Sequence, residues 1–248
     1  MRRSNLNLII SILFFVLLSF VIQSCAPSSK ITMLADENAL RVPNATLAIN
    51  LLPQDVIVDN SISGPPLKKI LGNGDLKQSV ANLVKTYYMV SMRSKTTFAK
   101  VFSADIQIGS SMDNIFTMQM RPASGGDIQL REPKQGSIIP TGRDTARFIL
   151  FIDRFRLDPG PMSGGGGYMT PKGFSFVPGG GDQNGVYKLY QKFQFYVWDN
   201  RKGTTVFYGT VANEIPNGTI FTESDFNVAL DKSVDDIFGS TPFSNVIK

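Results

Sequence analysis

The stretch FQFYVWDNRKGTTVFYGTV, Phe193–Val211, decides the fold. Two runs rich in aromatic and β-branched residues flank Asp199-Asn200-Arg201-Lys202-Gly203. Such runs favour strands, and a five-residue connector ending in glycine is a hairpin turn. The reading is an antiparallel pair, Tyr187–Trp198 and Thr204–Ala212. Trp198 and Phe207 stand close to the turn and are read as anchors for a partner.

Working outward, Arg147–Leu157 begins as a continuous apolar run and ends in alternation. That predicts a central strand emerging into solvent. Downstream, Phe226, Leu230, Val234 and Ile237 recur at helical spacing, and Gly239 stops the run. This predicts a helix from Ser224 or Asp225 to Phe238. Upstream, Asp75 is an N-cap for a helix over Leu76–Met92, with Val80, Leu83, Val84, Tyr87 and Tyr88 on one face. Ala45–Leu52 reads as an early strand ended by Pro53. Further strands are expected over Phe98–Phe102, Ala104–Ile108 and Ile115–Met120. The Gly- and Pro-rich span from Asn60 to Gly74 reads as a loop. The fold class is therefore α+β: a mainly antiparallel sheet with helices packed on one face.

The front of the chain is of another kind. Arg2 and Arg3 precede a run from Leu6 to Ile22 that only Asn7, Ser11 and Ser19 interrupt. Basic residues, an apolar core and then small residues are the anatomy of an export signal. Its length also suits an uncleaved membrane anchor, and an ordinary secretory signal is the other alternative. At its end stands Cys25, the single cysteine of 248 residues. The expected organisation is a signal peptide over 1–24, a lipidated tether over 25–44, and one periplasmic domain over 45–248. A Gly-rich insertion is expected over 158–185, where ten residues are glycine. It reads as a long flexible insertion between two strands, the alternative being a loop that orders on a partner through Tyr168, Phe174 and Phe176.

Composition excludes several chemistries. The chain has no histidine, which removes the commonest general base and metal ligand. With Cys25 committed, no thiol is left for zinc or copper ligation or for nucleophilic catalysis. Without the signal, 23 basic residues face 20 acidic ones. That balance is mild and no Lys/Arg cluster occurs, so no nucleic-acid partner is expected. The glycine runs lack the strand–loop–helix context and Lys-Ser/Thr pair of a phosphate loop. Carboxylates at Asp153, Asp158, Asp199 and Glu214 fall at strand ends or turns, and Asp235-Asp236 reads as a solvated helix face. No catalytic residue, metal or cofactor is expected, and the chain reads as a non-enzyme.

Ile22-Gln23-Ser24-Cys25 resembles the lipobox of bacterial lipoproteins: an aliphatic residue, a variable one, a small one, then Cys. Gln23 is less usual at its place. The resemblance implies a diacylglyceryl group on the Cys25 sulfur, cleavage before Cys25 and often acylation of the new amine. Two or three acyl chains anchor firmly where one is marginal. Ala26, rather than Asp, implies sorting to the outer membrane in preference to the inner. From Ala45 onward, the early strand and long helix, "FILFIDRFRL" at Phe148–Leu157 and the hairpin at Phe193–Val211 resemble auxiliary lipoproteins of ABC-type transport systems. They also resemble the N-terminal domain of the Tol-system translocation protein. That implies a non-enzymatic envelope component with a protein partner at a sheet edge or at the hairpin. The alternative is a carrier with a lipid or other apolar ligand between sheet and helices.

Overall fold

A computed structural model describes residues 29–58, 64–107, 116–120, 128–142, 145–161, 168–170, 173–175, 187–216 and 222–245. In chain order the elements are β1 (Lys30–Met33), α1 (Glu37–Leu40), β2 (Thr46–Asn50), a 3-10 turn (Pro53–Asp55), β3 (Val56–Ile57), α2 (Gly64–Leu71), α3 (Leu76–Lys95), β4 (Lys100–Ala104), β5 (Phe116–Met120), β6 (Ile128–Glu132), β7 (Phe148–Pro161), β8 (Tyr168–Thr170), β9 (Gly173–Ser175), β10 (Tyr187–Asp199), β11 (Thr204–Pro216) and α4 (Glu223–Phe238). The central sheet runs β1-β11-β10-β7-β2-β4, with β3 beside β7. β5–β6 and β8–β9 pair as separate hairpins.

The hairpin forms where expected, and both strands run further, β11 to Pro216. Gly203 sits at φ +63°, and a Cβ there would collide with the backbone of Gly136. The turn therefore needs glycine twice over, for its conformation and for the loop lying against it. β7 is central, between β10 and β2. A bulge with Arg154 at φ +52° shifts its register against β10. The extra residue lets Ile152 and Phe155 both face the helices.

Helices and sheet make an α+β fold, but the sheet is mixed rather than mainly antiparallel. β1, β11, β10 and β7 pair antiparallel, whereas β2–β4, β2–β7 and β3–β7 are parallel. The cause is the crossover: β2 returns to its neighbour β4 through α2 and α3, and parallel neighbours need such a connection. α2 itself replaces the loop expected over 60–74. Pro65 and Pro66 lie in its first turn, where a missing N–H breaks no helical bond. Leu67 is fully buried.

Both long helices start at real caps. Asp75 accepts from the Lys77 and Gln78 amides at 2.9 and 3.3 Å. Thr222 and Asp225 close a capping box on α4, which then ends at Gly239 as expected. The Tyr88 hydroxyl meets Ser233 Oγ at 2.5 Å between α3 and α4. Lys95 of α3 bridges Asp231 and Asp235 of α4 at 2.6 and 2.7 Å, so Asp235 is paired rather than merely solvated. An aromatic cluster lies between sheet and helices. Phe98, Phe148, Phe207, Phe238 and Phe243 pack there with centroids 4.7–6.3 Å apart. Among the described residues, no helix is long and apolar enough to cross a membrane.

Candidate functional site

The expected tether over 25–44 is mostly not a tether. β1 pairs along β11, Lys30 against Thr210 through Met33 against Phe207. Leu34 and Ala35 amides both donate to the Val206 carbonyl, at 2.9 and 3.0 Å. Leu40 of α1 is 1% exposed. Gly209 makes this docking possible, because a Cβ there would collide with the Lys30 carbonyl oxygen. Ser29 fixes the entry point. Its hydroxyl donates to Asp236 Oδ2 at 2.8 Å and accepts from the Ala212 amide at 3.2 Å. Asp236 is thus engaged by the chain's entry rather than solvated. In sequence, Ala26, Pro27 and Ser28 stand between Cys25 and Ser29. Cys25 and the lipobox residues Ile22, Gln23 and Ser24 lie outside the described residues.

Two of the expected partner-binding aromatics are buried in opposite layers of the sheet. Trp198 and Phe207 are 1% and 0% exposed, so neither offers a surface in this fold. Strand alternation is the reason: Phe207 points into the helix-covered layer and Trp198 into the opposite one. Tyr168 and Phe174 sit in the β8–β9 hairpin, opposite Ser175 and Met169 respectively. That hairpin is regular structure inside the span read as a loop, and β7 extends four residues into the same span. Phe176 lies outside the described residues.

The second face of the sheet holds the most perturbed electrostatics of the described residues. Ala48, Ala104, Ile106, Ile149, Phe151, Tyr196 and Trp198 form an apolar layer under Ile139 and Ala146 of the 133–147 loop. Phe151 stacks on Tyr196 at 4.7 Å. Asn200 pins the loop by accepting from the Ile139 amide at 2.6 Å. It also donates to the Ile139 and Ala146 carbonyls at 2.9 and 3.2 Å. Asn50 makes a two-way bond with the Ile106 backbone at 2.7 and 3.2 Å. Asp199, fully buried, accepts from Arg147 at 2.7 Å and from the Arg201 and Lys202 amides at 3.0 and 3.1 Å. It is a structural carboxylate that shapes the hairpin turn.

Beside this layer lie groups without protein partners. Glu132 is buried and accepts from Thr205 Oγ1 at 2.8 Å, while its other oxygen has no partner. The same holds for the Tyr196 hydroxyl, Trp198 Nε1 and Gln194 Oε1. Burial raises the Glu132 carboxyl, opposed by the Thr205 hydroxyl. Burial, then the charge of Asp153, raises Asp55 to about 6. Tyr196 is pushed up by burial, then by Glu132, Asp153 and Asp55. These groups sense one another, yet no group of three His, Cys, Asp or Glu among the described residues is placed to hold a metal. Sequence reading missed Glu132 and Asp55. The alternation of Ile128-Gln129-Leu130-Arg131-Glu132 was the available signal for the first. Asp55 offered none, since its partners come from distant strands.

Two open grooves lie elsewhere. One of about 460 Å³ runs along β4, the last strand of the sheet among the described residues, between Phe102–Ile106 and Pro140–Gly142. The other, about 390 Å³, lies on α4 between Ser224 and Asp235, beside Tyr87.

No family model matches the chain, and no curated protein matches it. Among solved structures it is similar to two of the PelC dodecamer from Paraburkholderia phytofirmans, one of them a point variant. Each is 10% identical with a TM-score of 0.35 over 84% of this chain, covering 96% of the variant and 94% of the other. That likeness is too loose to transfer a function.

Proposed function

We propose that the chain is a non-enzymatic lipoprotein of the bacterial cell envelope. Acylated Cys25 anchors it, in the outer membrane in preference to the inner. Its domain faces the periplasm and serves an envelope transport or integrity assembly through a protein partner. One observation carries the reading: the one cysteine directly follows the lipobox-like Ile22-Gln23-Ser24 at the end of a basic-then-apolar run, four residues before Ser29, which is held by Asp236. The non-enzymatic part rests on composition, a chain without histidine whose single thiol is committed to the anchor.

The experiment is in two arms. Cys25→Ser should accumulate as uncleaved precursor without acyl chains, read by intact mass; normal processing of that variant removes the proposal. In-cell crosslinking of the unmutated protein, followed by mass spectrometry, should recover envelope proteins of a transport or integrity complex. Recovery of cytosolic proteins alone removes it equally.

A further inference from the structure

We infer that the β1–β11 edge of the sheet, with the adjoining side of α4 around Lys232–Asp236, is the membrane-facing surface of the domain, apposed to the headgroups of the bilayer that holds Cys25. The inference rests on the proposed acylation of Cys25 and goes beyond it, since an anchor alone leaves orientation open.

The argument is one of length. From Cys25 to Ser29 a fully extended chain spans at most about 14 Å. Ser29 is not free to extend that reach, being held by Asp236 Oδ2, by the Ala212 amide and by the start of β1 on β11. A domain of this size is roughly 45 Å across. The leash is thus about a third of the diameter, too short for the molecule to turn over. Whatever surrounds Ser29 must stay beside the lipid. Around it lie Lys30 and Thr210 on the edge strands and, one helical turn before Asp236, the exposed Lys232. Across the sheet, β4 is five strand spacings away, roughly 24 Å. Its outer edge and the groove between Phe102–Ile106 and Pro140–Gly142 therefore face away from the membrane. A partner in the aqueous space meets that edge first.

The test uses the full-length protein purified from membranes and placed in phospholipid nanodiscs carrying a headgroup-level fluorescence quencher. Acylation blocks the one natural thiol, so a thiol-specific fluorophore reads only an introduced cysteine. Lys232→Cys reports the near side and Ser103→Cys the far edge; both positions are exposed. The mass of the N-terminal peptide is measured on the same samples. The expected result is quenching at least threefold greater at 232 than at 103. A Gly/Ser insert of 20 residues between Ser28 and Ser29 should bring that ratio close to one. Equal quenching at the two sites, with Cys25 acylated and the native tether intact, overturns the orientation and leaves the lipoprotein reading standing. A free Cys25 thiol overturns the lipoprotein reading and the orientation with it.

Discussion

The two faces of the central sheet come from the same strands and are covered by different material. On one face α3 and α4 close over five phenylalanines, and the buried polar groups Tyr88, Ser233 and Gln191 are joined by hydrogen bonds, with only Gln191 Oε1 among these left without a partner. On the other, the 133–147 loop covers only part of the area. Tyr196, Trp198, Gln194 and Glu132 each keep a buried polar atom without a protein partner there. Along β10 the two environments alternate residue by residue: Phe193, Phe195 and Val197 face the helices, Tyr196 and Trp198 the loop. The difference teaches where stability resides. The helix face supplies cohesion, while the loop face spends some of it keeping polar groups dry.

The largest effect should come from the helix face. Phe148→Ala removes a fully buried ring that packs on Phe98 and Phe243 at 6.1 and 4.9 Å. The expected loss is about 3–5 kcal/mol by urea denaturation. A loss below about 1 kcal/mol would erase the contrast between the faces.

On the loop face, a polar deletion should stabilise. Asp55 titrates at about 6 in the fold against 3.8 for the free side chain. Its folded pKa is raised, so its contribution to stability is complete below about pH 3.8. That contribution is lost as the pH rises through about 6. Asp55→Asn should therefore raise Tm by about 2–5 °C at pH 7.5, and leave it unchanged at pH 3.5. A destabilised variant at pH 7.5 would mean that the carboxylate is paired and the face is not under electrostatic load.

The smallest effect is expected for Trp198→Phe. The variant loses some packing volume but also a buried indole N–H without a partner. The two effects oppose each other, and the net change should stay within about 1 kcal/mol. A loss comparable to that of Phe148→Ala would show that the indole has a strong partner after all.

How much of this was legible in the sequence follows the same divide. The capped helix behind Asp75, the final helix before Gly239 and the hairpin around Asn200–Gly203 each carry their signal within a few neighbouring residues. The Ser29–Leu40 segment does not. Lys30-Ile31-Thr32-Met33 is four residues long, and only its pairing with β11 distinguishes it from a linker. The parallel part of the sheet had a signal in its order, strand then helix then strand over Ala45–Phe102, which is the pattern of a crossover. On the loop face, Glu132 meets Thr205 across 73 residues of sequence. Asp55 and Asp153 come together only because β3 follows β7. No local pattern encodes such neighbours. The aromatics near the turn misled for a related reason: at a hairpin in the middle of a sheet, both faces are interior.

The most direct test of the account is the mass of the N-terminal peptide of the protein isolated from native membranes. The expected result is a chain that begins at Cys25, with a diacylglyceryl group on its sulfur. A mature chain that still carries Ile22-Gln23-Ser24, or that presents Cys25 as a free thiol, would contradict it.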